Sequence, residues 1–127
     1  MDSSTKAYLA SAVSAMAGFW GGFDPMVKTL AVLMFLDVVS GGLLAASTRT
    51  VSSDASFHGM AKKAMMLVLV GAAHVYNATQ PLGFEASAGV ASFFATTELI
   101  SIFENAGRLG LPIPKPLVDV FEKLRSK

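Results

Sequence analysis

The chain has no cysteine, so it forms no disulfide and offers no thiolate to a metal. It holds only two histidines, His58 and His74, too far apart for a metal-ligand spacing. Charge is scarce as well. Only 15% of the residues are Asp, Glu, Lys or Arg, and the net charge is +1. A soluble domain carries about 25% charged residues, and a nucleic-acid partner asks for a strongly basic surface. Neither fits, and no nucleic-acid partner is expected. The chain also lacks a phosphate-binding glycine loop, a framed nucleophile, internal repeats and low-complexity tracts, so no enzymatic activity, metal or cofactor is expected.

What it has is apolar length. Hydrophobic residues make up 53% of the 127 positions, and the mean hydropathy is +0.55. A chain this short cannot hide that much apolar surface in one core, because small domains leave much of their surface exposed. The bilayer is then the natural solvent. Three runs have few charges or none: Met26 to Ala46 contains only Lys28 and Asp37, Ala64 to Phe84 none, and Ala86 to Phe103 only Glu98. Each is about 20 residues long, enough to cross a hydrocarbon core of roughly 30 Å as a helix. These are three strong transmembrane candidates.

A weaker fourth candidate, "AYLASAVSAMAGFWGGF" from Ala7 to Phe23, is rich in alanine, serine and glycine. Leu9, Val13, Met16, Trp20 and Phe23 fall on one helical stripe, as in a helix lying in the interface. Ala10, Ser14, Gly18 and Gly22 recur every four residues on another, and such small faces let membrane helices approach closely. A spanning helix is favoured over an interfacial one. On the next helix the pair Gly41 and Gly42 offers a similar packing surface.

The joints are punctuated. Asp24-Pro25 reads as an N-cap followed by proline in the first turn. The serine-rich stretch between Ala46 and Lys62 reads as a loop, and Thr79 to Glu85 as a tight turn. "LPIPKP" ends the last long helix, since proline breaks the hydrogen-bond ladder. Beyond it Leu117, Val120, Phe121 and Leu124 share one face of a short helix, with Asp119, Glu122, Lys123 and Arg125 on its other side. The expected architecture is an all-α integral membrane protein: a single membrane domain over 1–127, with a weak helix at 5–23, transmembrane helices at about 25–47, 59–80 and 85–108, and a cytoplasmic tail helix at about 115–126. Arg49, Lys62 and Lys63 flank the serine-rich loop, and Arg108, Lys115, Lys123, Arg125 and Lys127 sit in the tail, whereas the Thr79–Glu85 turn has no basic residue. Positive-inside bias places loop and tail in the cytoplasm and the turn outside.

Asp37, His74 and Glu98 lie deep within these runs, with Asn77 beside the second of them. A charge at the bilayer centre costs roughly 2.5–3.5 kcal/mol on insertion scales, so such residues face each other, another subunit or water. The bland alternative is a buried cluster that only fixes helix register. Along the last long helix Thr97, Ser101, Glu104 and Arg108 form one stripe, with Glu104 and Arg108 spaced as an i,i+4 pair. Glu98, Ser101 and Asn105 form an adjoining one. Glu98 and Asp37 have no partner in their own helices.

"LDVVSGGLLAA", the loop pattern "SS…F.G..KK" and "ELISIFENAGRLGLPIPKPL" with the basic tail resemble the toxin-secretion and phage-lysis holin family, bacteriophage holin family 4, over roughly Asp24 to Lys127. The most specific stretch takes in Glu98, Ser101, Ile102, Glu104, Asn105, Gly107, Gly110, Pro112 and Pro114. Where members of that family often carry an aspartate after the double lysine, this chain has His74 and Asn77. The resemblance implies a phage-encoded protein of the bacterial cytoplasmic membrane that forms homo-oligomers and opens lesions at a set time. A cell-wall hydrolase, the endolysin, would then escape, a partner in function without direct contact. The other classes open to the residues are a small proton-coupled or ion transporter and an inhibitor of such a lysis protein.

Overall fold

The computed structural model describes residues 1–21, 24–80 and 85–126, and among them every regular element is helical: α1 (Ser3–Gly21), α2 (Pro25–Thr48), α3 (Ser53–Thr79), α4 (Ala86–Arg108) and α5 (Lys115–Arg125). Each start has a local cause. The Asp2 carboxylate accepts the Thr5 N–H at 2.7 Å, and that bond holds the carboxyl below its ordinary range. Asp24 caps α2, accepting the Met26 N–H at 2.8 Å, with Pro25 in the first turn. Ser52 caps α3 through the Ala55 N–H at 3.3 Å, and Asp54 lies in its first turn. That cap brings the start of α3 forward to Ser53, so most of the serine-rich stretch expected as a loop is helix. The α2–α3 turn is correspondingly short, with Arg49 in the left-handed region at φ 57°.

α2, α3 and α4 form the packed unit, with α4 between the other two. Its core is Val27, Leu30 and Met34 of α2, Val70 of α3, and Ala91 and Ala95 of α4. Low positions on α2 meet low positions on α4 here, and Asn105 near the end of α4 meets Ser40 on α2, so the two helices run parallel. α3 runs against them, since Lys63 lies level with Asp37 and Glu98 while Val70, later in the chain, joins the core nearer the start of α2 and α4. The small face that brings helices close belongs to α4: Ser87, Ala91 and Ala95 are buried. Ala10, Ser14 and Gly18 on α1 are exposed, and Gly22 and Phe23 lie outside the described residues, as does the side chain of Trp20.

Among the described residues two helices, not three, combine the length and apolarity of a membrane span, α2 and α4. The expected third strong span is α3, which is long enough at 27 residues. Lys62, Lys63, His74, Tyr76 and Asn77 dilute its apolar stretch, and Pro81–Phe84 fall outside the described residues. α1 falls short over its described residues because Lys6, Thr5 and four serines lower its mean hydropathy. Only 11% of the apolar window of α2 and 33% of that of α4 is buried within the protein. A core helix of a water-soluble domain would be covered. Here Val32, Phe35, Leu43, Val68 and Phe93 stay more than half exposed, an apolar surface that water would penalise and lipid accepts.

After α4, Gly110 adopts φ +101°, a conformation that favours glycine. The Leu111 N–H reaches back to the Ala106 carbonyl at 3.1 Å, and the chain reverses into the proline-rich segment. α5 then folds back on the end of α4: the Phe121 and Phe103 rings lie 5.1 Å apart, and Arg125 pairs with Glu104.

Candidate functional site: a polar cluster within the spans

At mid-length of the packed unit the apolar core gives way to one polar cluster. The Lys63 Nζ donates to Asp37 Oδ2 at 2.7 Å and to Glu98 Oε2 at 2.8 Å. One ammonium group on α3 thus joins a carboxylate on α2 to a carboxylate on α4. The Asn105 Nδ2 donates to Asp37 Oδ1 at 3.2 Å and to Ser40 Oγ at 2.9 Å. The Ser40 hydroxyl donates in turn to the Asp37 carbonyl at 3.0 Å, and Ser101 lies near the Asp37 carboxylate. Burial is deep: the side-chain exposures of Lys63, Asp37 and Glu98 are 16%, 11% and 3%.

Helix geometry explains the meeting. Asp37 lies about as far before the α2–α3 turn as Lys63 lies after it, and Glu98 is equally far from the same end of α4. At 1.5 Å per residue all three sit roughly 15 Å from that end, half of the roughly 30 Å that a hydrocarbon core measures. The ammonium, both carboxylates, the Asn105 amide and the Ser40 hydroxyl answer one another, which is how groups of this kind are accommodated away from water.

The expected site residues therefore divide. Asp37, Glu98, Ser101 and Asn105 converge. Neither Asp37 nor Glu98 lacks a partner, since Lys63 serves both. Glu104 faces away from the cluster and pairs with Arg125 of α5, so the Glu104–Arg108 pairing expected from their spacing gives way to a tertiary one. His74 and Asn77 are half-buried about 16 and 21 Å further along α3, each engaged in interactions of its own. Gly41 abuts the cluster, where an added Cβ would lie 3.7 Å from Asn105 Nδ2, whereas Gly42 and Gly18 look onto open space.

Lys63 and Ser40 are the residues that sequence reasoning passes over. Lys63 stands next to Lys62 at the edge of a polar stretch, where two lysines read as a cytoplasmic flank. Lys62 is exposed, and Lys63, 100° around the helix, turns inward. The signal that points to Lys63 is the equal spacing of Asp37 and Lys63 on either side of the turn. On the outer side of α4, Thr96 and Thr97 donate to the Ser92 and Phe93 carbonyls at 3.0 and 3.3 Å, so these hydroxyls are satisfied without leaving their own helix.

The chain as a whole has relatives in sequence. The chain is 35% identical to an uncharacterized protein of Halalkalibacterium halodurans over 127 aligned residues, covering 96% of this chain and 92% of that one. An uncharacterized protein of Listeria monocytogenes is 35% identical over 101 residues, 80% of this chain and 72% of its own, and one of Bacillus subtilis is 31% identical over 122 residues, covering 94% and 90%. No solved structure matches the chain. The pattern that defines the bacteriophage holin family matches residues 14–126, nearly the whole length and all of the helices that build the cluster, and the chain belongs to that family.

Proposed function

We propose that the protein is a holin that gathers in the bacterial cytoplasmic membrane, oligomerises, and opens lesions through which a wall-degrading endolysin passes. The observation that carries this reading is the Asp37–Lys63–Glu98 cluster. Fully ionised, it holds two negative charges against one positive, so one carboxylate is in excess. Inside a single protomer the excess charge is costly away from water, and the cost falls when that surface meets water. The cluster therefore holds a closed protomer together at low density and supplies a water-facing surface when many copies assemble. In this reading α3 crosses with α2 and α4, because pairing Lys63 removes the chief obstacle to its insertion. Asp54, His58 and Lys62 point outward on the half of α3 that runs beside the polar half of α2 and α4. Lipid rejects such a surface, and an aqueous lesion accepts it. Loop and C-terminus face the cytoplasm on the distribution of lysine and arginine. α1 joins the assembly through Ala10, Ser14 and Gly18, which are uncovered in the protomer.

The test is the timing of lysis. Glu98→Gln keeps the shape and leaves Asp37 and Lys63 as a matched pair, so the closed protomer gains and the wetted state loses. With membrane content held equal by immunoblot and an endolysin co-expressed, culture turbidity should fall late or not at all. Glu104→Gln, whose change lies at the α4–α5 contact, should have the milder effect. Lysis on schedule by Glu98→Gln would reduce the cluster to a device for fixing helix register. Saturable transport of a solute without killing would replace the holin by a carrier, and failure to kill when expressed alone would replace it by an inhibitor.

A further inference from the structure

α5 has three sides. Phe121, Val118 and Arg125 turn toward α4 with Glu122 beside them, and Asp119 and Lys123 lie opposite. Between them runs a strip of Leu117, Val120 and Leu124, which are 38%, 49% and 46% exposed. The depth of this strip is fixed by what α5 touches. Phe103 and Glu104 lie within the final turns of α4, about 6–7 Å before its end at Arg108. A helix held on those two residues lies within one helix diameter of the place where a membrane span leaves the hydrocarbon. Amphipathic helices in the interface bury their apolar side about 5–10 Å into the boundary between headgroups and acyl chains, and the two depths coincide. Leu109 and Leu111, at the reversal between α4 and α5, leave further apolar surface exposed. Lys115 and Lys123 flank it with the charge that phospholipid phosphates attract.

We propose that α5 is seated in the interface of the bilayer, with Leu117, Val120 and Leu124 in contact with phospholipid and the Glu104–Arg125 and Phe103–Phe121 contacts setting its depth. This rests on the reading that α2 and α4 span the membrane. Seated so, α5 is a collar at one rim of the bundle, and it keeps the end of α4 at the surface instead of letting it rise into the cytoplasm.

The absence of native cysteine makes a direct test possible. Single variants Val120→Cys, Asp119→Cys and Phe35→Cys carry an environment-sensitive fluorophore, and the full chain is reconstituted in phosphatidylglycerol–phosphatidylethanolamine vesicles with lipid-borne quenchers placed shallow or deep. The label at Val120 should lose about half its emission to the shallow quencher, as a side chain buried in the interface does, and the label at Asp119 should lose little. Leu117→Cys and Leu124→Cys repeat the measurement should Val120→Cys fail to accumulate. The label at Phe35, exposed at mid-length of α2, reports on the underlying reading through the deep quencher. Quenching at Phe35 without quenching at Val120 overturns the seating of α5 alone. Absence of quenching at both overturns the spanning helices. A shielded Val120 label that resists quencher while Val120→Cys crosslinks between chains means that a second copy covers the strip, and that too overturns the proposal.

Discussion

Replacing Lys63 with methionine tests the charge arithmetic of the cluster. Methionine keeps the length and the helix propensity and removes the ammonium. Two carboxylates then remain close together, Glu98 only 3% exposed, with Asn105 still donating to Asp37. Removing one partner of a buried ion pair costs about 3–5 kcal/mol. At 1.4 kcal/mol per tenfold, the closed arrangement of α2, α3 and α4 should lose roughly a hundredfold to a few thousandfold in population. Asp37→Asn acts on the same cluster with a different outcome. It leaves Lys63 and Glu98 as one cation and one anion at 2.8 Å, and its cost is that of an exchanged hydrogen bond, about 1 kcal/mol.

The assay is the midpoint of detergent-driven helix separation in bicelles, read by energy transfer between dyes on cysteines at exposed Thr29 of α2 and exposed Val75 of α3. Lys63→Met should separate at much lower sodium dodecyl sulfate than wild type, and Asp37→Asn close to it. The combination of Asp37→Asn, Lys63→Met and Glu98→Gln should recover most of the loss, because a neutral hydrogen-bonded cluster has no charge to strand. Lys63→Met separating with the wild-type midpoint would refute the reasoning, since it would mean that the ammonium contributes nothing to holding α3. Equal loss for Lys63→Met and Asp37→Asn would show that the contacts matter and the count of charges does not.

Two other outcomes follow from the same geometry. Gly42→Leu meets open space within the protomer, so helix separation should be unchanged while crosslinking ladders shift to smaller species and lysis is delayed; Gly41→Leu, pressed toward Asn105, should weaken the protomer itself. For topology, Ser52→Cys should be protected from an impermeant thiol reagent on intact cells and Gln80→Cys labelled, and the reverse pattern would invert the orientation.

Much of the fold is legible in the sequence because the signals are local. The apolar runs give α2 and α4, Asp24-Pro25 gives the start of α2, and the prolines give the end of α4 and the separate tail helix. The misreadings arise where a local signal competes with a distant one. Serines at 52, 53 and 56 read as loop, yet one of them as an N-cap with Asp54 behind it starts a helix. Glu104 has Arg108 one turn away, yet Arg125 reaches it once Gly110 reverses the chain. Charge counting gives three spans, while hydropathy, which also weighs His74, Tyr76 and Asn77, leaves α3 short. The small-residue pattern on α1 is the more regular to the eye, but Ser87, Ala91 and Ala95 on α4 make the buried contact.

Lys63 is the instructive case, because composition alone constrains it more than its neighbourhood does. Two carboxylates at mid-span demand a cation at the same depth. Parallel α2 and α4 with α3 running against them put one residue of α3 level with both, and that residue lies as far past the α2–α3 turn as Asp37 lies before it. Lys63 satisfies the condition while Lys62, one residue earlier, points to the outside. On the proposed reading, in which α3 crosses with α2 and α4, the cluster also explains why α3 is the least apolar of the three packed helices: it brings the compensating charge, and its insertion depends on the other two already presenting Asp37 and Glu98. The helix that inserts least readily alone is then the one most easily released when those carboxylates find water, and α3 is where separation of the closed protomer should begin.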